Sequence, residues 1–134
     1  MIEIPQQAYI KANELFDVLP CSFEQVYGVP KASGVYLIHK KSVEGMKTIY
    51  VGKSGDLSER LREHYSGELL DSTSNLRRKL NSKYGTNMGP EMREWIRENC
   101  EFSFVKIEDS DLCHFVEAAA ILHLRRKSEP LLND

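Results

Sequence analysis

The sequence predicts an α+β fold, a small three-stranded antiparallel sheet flanked by helices and preceded by an N-terminal helical extension. Three observations carry this reading. Gly34–His39 and Lys47–Val51 are short runs rich in β-branched and aromatic residues, as strands require. The polar segment Lys40–Met46 between them, with one Gly, suits the link of an antiparallel pair. A third run, Cys100–Ile107, alternates Phe102 and Phe104 and reads as a third strand, while the remaining segments carry helix caps and helical spacing. The length of 134 residues matches one domain, with residues 1–33 as the extension and 34–134 as the body of a single compact unit.

Taken in order, residues 1–33 open with an apolar face from Ile10, Leu15, Phe16, Val18 and Leu19, ended by Pro20. Ser22-Phe-Glu-Gln starts a second short helix, with Ser22 as N-cap and Gln25 completing a capping box. Gly28, Pro30 and Gly34 punctuate the loop before the first strand. After the second strand, Gly52-Lys-Ser-Gly55 makes a break that contains Lys53. Asp56 caps the next helix, with Glu59 at its third position. Leu57 and Leu61 share one face of that helix, and Arg60 and His64 share a neighbouring face at the same spacing. Gly67 ends it. Thr73–Tyr84 reads as a basic helix carrying Arg77, Arg78, Lys79 and Lys83. Gly89-Pro90 opens another, with Pro in the first turn and Trp95 as its anchor. Asp109 or Ser110 caps a last helix from about Asp111 to Arg126, and Pro130 follows its end.

Composition removes several function classes. Hydrophobic residues make 41% and charged residues 28% of the chain, an ordinary globular balance that excludes a disordered tail, a collagen-like chain and a coiled-coil rod. The longest nearly apolar run, Leu112–Leu124, is broken by His114, Glu117 and His123 and is too short and polar to span a bilayer. The N-terminus lacks the basic start and apolar stretch of a secretory signal. Three cysteines without a C-x-x-C pair point to a reduced, intracellular, cytoplasmic chain with neither a disulfide framework nor a zinc module. The net charge of −2 hides an asymmetry. His39–Lys83 holds ten Lys/Arg against six Asp/Glu (+4), and the rest holds eight against fourteen (−6). The middle third is where a phosphate backbone would be met, if these charges are more than a mixed solvated surface.

Several residues stand out chemically. Glu117 lies in a stretch where ten of thirteen residues are apolar, so its helix is expected to be largely buried. A buried carboxylate costs several kcal/mol unless it is paired, protonated or bound to a cation. It pairs with His114 or a distant Arg, or it is a metal ligand at the floor of a cleft. Tyr36 and Tyr50 each lie two residues from a glycine, in Gly34-Val-Tyr36 and Tyr50-Val-Gly52. They are either cross-strand packing tyrosines or line a place where a ligand approaches. Lys53, Arg60 and His64 fall on one side of a strand–turn–helix unit. They form either a phosphate-binding set, in which an Arg fork suits phosphate oxygens, or a solvated face with Arg60 paired to Glu63 or Asp56. Arg77, Arg78 and Lys79 likewise are either solvated or on DNA.

The ordered set Gly34-Val-Tyr36, Tyr50-Val-Gly52-Lys53, Arg60, His64, Glu117 and Asn133 resembles the GIY-YIG nuclease family, with Val for Ile in both tripeptides. YVGKSGDLSERLREH is similar to the corresponding segment of the bacterial excinuclease incision subunit. The resemblance covers about residues 33–133 and implies a metal-dependent endonuclease that hydrolyses DNA phosphodiester bonds. It implies Glu117 as ligand of a single Mg²⁺ or Mn²⁺. It implies Tyr36 or Tyr50 as the group that activates water, Lys53 as a cation that lowers a tyrosine pKa, and Arg60 as the stabiliser of phosphate charge. His64 stands where the family uses His or Tyr, and Asn133 would order the site. Lys53, Arg77, Arg78, Lys79 and Lys83 are the candidate DNA contacts. The expected partners are DNA, with a homodimer or a separate specificity protein as further options, and no membrane. The competing readings are a catalytically inactive DNA-binding module of the same fold and an interaction domain in which Glu117 is structural.

Overall fold

The computed structural model describes residues 4–66, 75–86, 90–127 and 130–133. The chain runs α1 (Gln6–Asp17), β1 (Cys21–Ser22), a 3₁₀ helix (Phe23–Gly28), β2 (Gly34–Ser42), β3 (Gly45–Ser54), α2 (Leu57–Ser66), α3 (Asn75–Tyr84), α4 (Pro90–Asn99), β4 (Cys100–Lys106) and α5 (Ser110–Arg126). The fold is α+β, and the sheet is wholly antiparallel in the order β1-β4-β2-β3. It has four strands rather than three. The added one is the two-residue β1, where Cys21 faces Phe102 and Ser22 faces Glu101. A strand this short carries no alternation for a sequence pattern to reveal.

β2 is central and buried on both sides. Tyr36 and Ile38 join a cluster with Phe23, Leu57, Leu61, Leu76, Leu80, Met92, Ile96 and Phe102, under α2, α3 and α4. Val35 and Leu37 face the other way and pack with Val51, Ala8, Ala12, Leu15, Val116, Ala119 and Ala120, under α1 and α5. The period-2 alternation of a strand thus feeds two helical layers. Burial of each large apolar side chain contributes about 1.5–3 kcal/mol.

The buried face of α1 differs from expectation. Ala8, Ala12 and Leu15, spaced i, i+4, i+7, are its core residues, and Ile10, Val18 and Leu19 are exposed. Two alanines let α1 lie close against Ala119 and Ala120 of α5. Helical period, not residue size, decides which face turns inward. The predicted helix after Ser22 is a 3₁₀ helix, with Ser22 Oγ accepting from the Glu24 N–H. The polar link between β2 and β3 shrinks to a tight turn at Val43–Glu44, because Ser42 pairs with Gly45, which takes φ +112°. β3 also runs on to Ser54, which places Lys53 within the strand opposite Val35. A bulge interrupts this pair: Ile38 faces Tyr50 and His39 faces Thr48, so Ile49 is the extra residue and sits in the same cluster that Tyr50 packs against.

Asp109 caps α5, its Oδ1 accepting from the N–H groups of Asp111 and Leu112 at 2.8 and 3.1 Å. Only one stripe of α5 is buried: Cys113, Val116, Ala119, Ala120 and Leu124. The apolar run is the inner face of a covering layer, not a helix enclosed on all sides. Gly67, Thr73 and Gly89, expected at helix ends, lie outside the described residues. All three cysteines are free thiols, and no helix among the described residues is long and apolar enough to cross a membrane.

Candidate active site

The site forms where β3, the free edge of the sheet, meets α2 on one face and α5 on the other. Asp56 Oδ1 accepts from the Glu59 N–H at 3.1 Å and fixes the start of α2. Leu57 and Leu61 then dock into the core, which turns Arg60 and His64, at the same i, i+4 spacing, toward the edge. α5 presents Glu117 at the margin of its buried stripe, one turn after Cys113. The tail returns beside β3, with the Leu132 N–H donating to the Ile49 carbonyl at 2.6 Å. The result is a cleft of about 220 Å³ lined by Tyr36, Tyr50, Val51, Gly52, Lys53, Arg60, His64, Glu117 and Asn133. Every candidate catalytic residue read from the sequence lines this one polar cleft.

The motif glycines have distinct steric reasons. Gly52 pairs directly with Tyr36, and a Cβ at residue 52 would overlap the Tyr36 ring at Cζ and Oη. A Cβ at Gly34 would strike the Val105 carbonyl and the Leu57 side chain. One glycine seats the tyrosine, and the other lets β4 and α2 close on β2.

The Tyr36 hydroxyl and His64 Nε2 share a buried hydrogen bond of 2.6 Å. Tyr50 completes the aromatic wall, its ring centroid 6.3 Å from that of Tyr36 and 5.8 Å from that of His64. Burial drives the His64 imidazolium pKa down to about 3, with the cations Arg60 and Arg77 adding to the effect, so His64 is neutral at physiological pH. Burial also raises the Tyr36 phenol well above its ordinary value, with Tyr50 and Glu117 reinforcing and Arg60 opposing. Tyr50 is raised by burial and by Glu117, again against Arg60. The cation that favours phenolate is therefore Arg60. The sequence reading gave that part to Lys53, but Lys53 instead acts on Glu117 and Cys113. Glu117 is half-buried, and burial lifts its carboxyl above the usual range despite Lys53 and His114.

Asn133 holds the edge. Its Oδ1 accepts from the Val51 N–H at 2.9 Å and its Nδ2 donates to the Val51 carbonyl at 2.7 Å. One amide satisfies both backbone groups of an edge residue, as a neighbouring strand would.

The candidate DNA contacts separate. Lys53, Arg78 and Lys83 are exposed and Lys79 is half-buried. Arg77 is only 3% exposed and corrects the expectation of a DNA-facing residue. Its Nη1 donates to the carbonyls of His64 and Tyr65 at 3.2 and 2.7 Å, and the Glu63 charge supports it. It caps the C-terminal end of α2, where a cation offsets the helix dipole. A neighbouring cavity of about 280 Å³, lined by Ser33, Ser54, Gly55, Ser110 and Cys113, shares Lys53 and Arg60 with the cleft; Ser33 was not singled out from the sequence.

A polar cleft that gathers phenols, an imidazole, two cations and a carboxylate on a small antiparallel sheet has the make-up of a phosphodiester-cleaving site. The chain matches the model of the GIY-YIG catalytic domain over residues 28–134. It belongs to that family and carries its nuclease-type domain, and nucleases of the family act on DNA. Neither the curated proteins nor the solved structures give a match.

Proposed function

We propose that this protein is an endonuclease that hydrolyses DNA phosphodiester bonds with a single divalent cation, Mg²⁺ or Mn²⁺, at Glu117. The observation that carries the reading is the meeting of Tyr36, Tyr50, Lys53, Arg60, His64, Glu117 and Asn133 in one cleft. The donor set suits such an ion. Among the described residues no group of three His, Cys, Asp or Glu gathers to cage a metal, and no donor stands within hydrogen-bond or ion-pair distance of the Glu117 carboxylate. Mg²⁺ commonly keeps several waters and takes one or two carboxylates plus substrate phosphate. When bound, the cation would neutralise phosphate charge and act as a Lewis acid.

The chain's own residues supply the rest. Arg60 meets the charge that grows on the phosphate oxygens. Tyr36 is the better placed of the two tyrosines to take a proton from water, because a neutral imidazole lies 2.6 Å from its oxygen. With the His64 ring proton on Nδ1, the Tyr36 hydroxyl donates to Nε2 and keeps its lone pairs for an attacking water. His64 thus fixes the orientation of that hydroxyl, and Arg60 is the cation that offsets the burial opposing the Tyr36 phenolate, the form that takes the proton of the attacking water. Tyr50 borders the same space and orients water or phosphate. Lys53 offsets the negative charge of Glu117.

The test is cleavage of supercoiled plasmid with Mg²⁺ or Mn²⁺ by wild type and by Glu117→Gln. The expected result is metal-dependent nicking or linearisation that the substitution abolishes while the melting curve is kept. Equal cleavage by both proteins would refute Glu117 as the metal ligand.

A further inference from the structure

A second feature lies on the same sheet edge. A groove of about 90 Å³ is lined by Lys40, Lys41, Lys47 and Lys83, with Thr48, Tyr84 and Pro130 among its other walls. Four lysines line it, and among the described residues the carboxylate paired with them is that of Glu44, 3.4 Å from Lys47 Nζ. Lys40 has an unusual setting. It is half-buried, and its Nζ lies 5.0 Å from the Tyr84 ring centroid and 6.0 Å from that of Trp95. It donates to the Lys41 carbonyl at 3.0 Å. Aromatic faces and a carbonyl hold this cation in place, and among the described residues no carboxylate pairs with it. Lys83 lies 5.7 Å from the same Tyr84 ring.

The location gives this charge a use. The tail 130–133 follows the free edge of β3, with Pro130 lining the lysine groove and Asn133 lining the catalytic cleft. Along β3, Lys47 lies six residues before Lys53, a span of at most about 20 Å at ~3.4 Å per residue. That is up to about six phosphates along one strand at ~3.4 Å each. A nucleic-acid strand lying along the tail with one phosphate at Arg60 brings a phosphate a few nucleotides away to the lysines. The β2–β3 hairpin also extends past the sheet, since β4 pairs with β2 only as far as Lys40 while β3 pairs to Ser42. Lys41 lies on this overhang, and Lys47 faces Lys40 at its base.

We propose that the groove of Lys40, Lys41, Lys47 and Lys83 is a second phosphate-binding subsite, which grips the DNA backbone a few base pairs from the bond that is cut. The inference rests on the DNA-cleaving reading of the site and adds an anchor that fixes how the strand lies across it. The hairpin carries most of the anchor, and the basic face of α3 contributes Lys83.

The experiment measures duplex binding by fluorescence anisotropy in EDTA, from 50 to 200 mM salt. Wild type is compared with Lys41→Ala/Lys47→Ala/Lys83→Ala, all three exposed, and with the control Lys11→Ala/Lys31→Ala outside the groove. Each phosphate contact contributes about 0.9 to the slope of log K against log salt. The triple variant is expected to lose about 2–3 from the slope, and the control is expected to match wild type. Glu44→Gln, which releases Lys47, is expected to tighten binding. An unchanged slope in the triple variant, an equal loss in the control, or no duplex binding by wild type overturns the proposal. Plasmid cleavage by wild type is scored in parallel. A slope that falls without any cleavage keeps the anchor and sinks the nuclease reading, and cleavage with an unchanged slope does the reverse.

Discussion

Gly52 and Tyr36 show how narrow the tolerances of this site are. The ring lies where a Cβ at 52 would be, so Gly52→Ala forces Tyr36 off His64 or pushes β3 outward. Overpacking of this kind costs about 1–3 kcal/mol. Loss of cleavage is expected to exceed the loss of stability, and parallel measurement of kcat/KM and Tm separates the two. Tyr36→Phe removes the buried hydroxyl bonded to His64 Nε2, so it is expected to cost about 1–3 kcal/mol of stability and a larger share of cleavage. Arg77 makes the opposite case. Arg77→Ala leaves the carbonyls of His64 and Tyr65 without their donor, and a bond to a charged group is worth about 1.5–3 kcal/mol. Urea unfolding is expected to show that loss, while the salt slope of DNA binding stays as in wild type. A flattened slope would return Arg77 to the interface.

At the scale of elements, β3 depends on Asn133. Asn133→Ala strands the Val51 N–H and carbonyl at the sheet edge, and the two lost bonds are each worth about 0.5–1.5 kcal/mol. Asn133→Asp keeps an acceptor for the N–H but sets a carboxylate against the carbonyl, so it is expected to be the worse variant. Thermal melts of both beside plasmid cleavage check the order. This contact also marks the limit of what the sequence reveals. The motif order, the cap at Asp56, the Pro at the start of α4 and the extent of α5 were legible because each depends on residues close in the chain. The set of seven cleft residues was legible through its spacing and its family resemblance. The amide clamp was not, because it joins Val51 to a residue far along the chain. Nor were β1, the Ala8/Ala12 face of α1, or the burial of Arg77. Each is decided by what packs against it, and propensity yields to tertiary context there.

Across the whole molecule, two histidines tie stability to pH. His39 bridges three strands, with Nδ1 3.0 Å from Thr48 Oγ1 and Nε2 2.9 Å from Ser103 Oγ. Burial takes its pKa from 6.5 down to about 4, as it takes that of His64 down to about 3. Between those values and 6.5 the unfolded chain binds protons that the folded chain does not, so stability falls as pH falls. Each histidine removes about 1.4 kcal/mol per pH unit within its window. The melting temperature is expected to be level above about pH 7 and to drop steadily from pH 6.5 to 4. His39→Gln is expected to show the shallower drop. Identical slopes in the two proteins would rule His39 out as a source.

The tail beside β3 has a consequence for association. An open strand edge is a template onto which another chain can add, and β3 is such an edge. Residues 130–133 cover it from Ile49 to Val51. Any foreign strand that docked on this edge would first have to displace Asn133, and with it one wall of the catalytic cleft. On the proposed function, aggregation through β3 and loss of cleavage are thus one event. A nick or trim that frees the tail would be read twice, as turbidity and as silence in the cleavage assay.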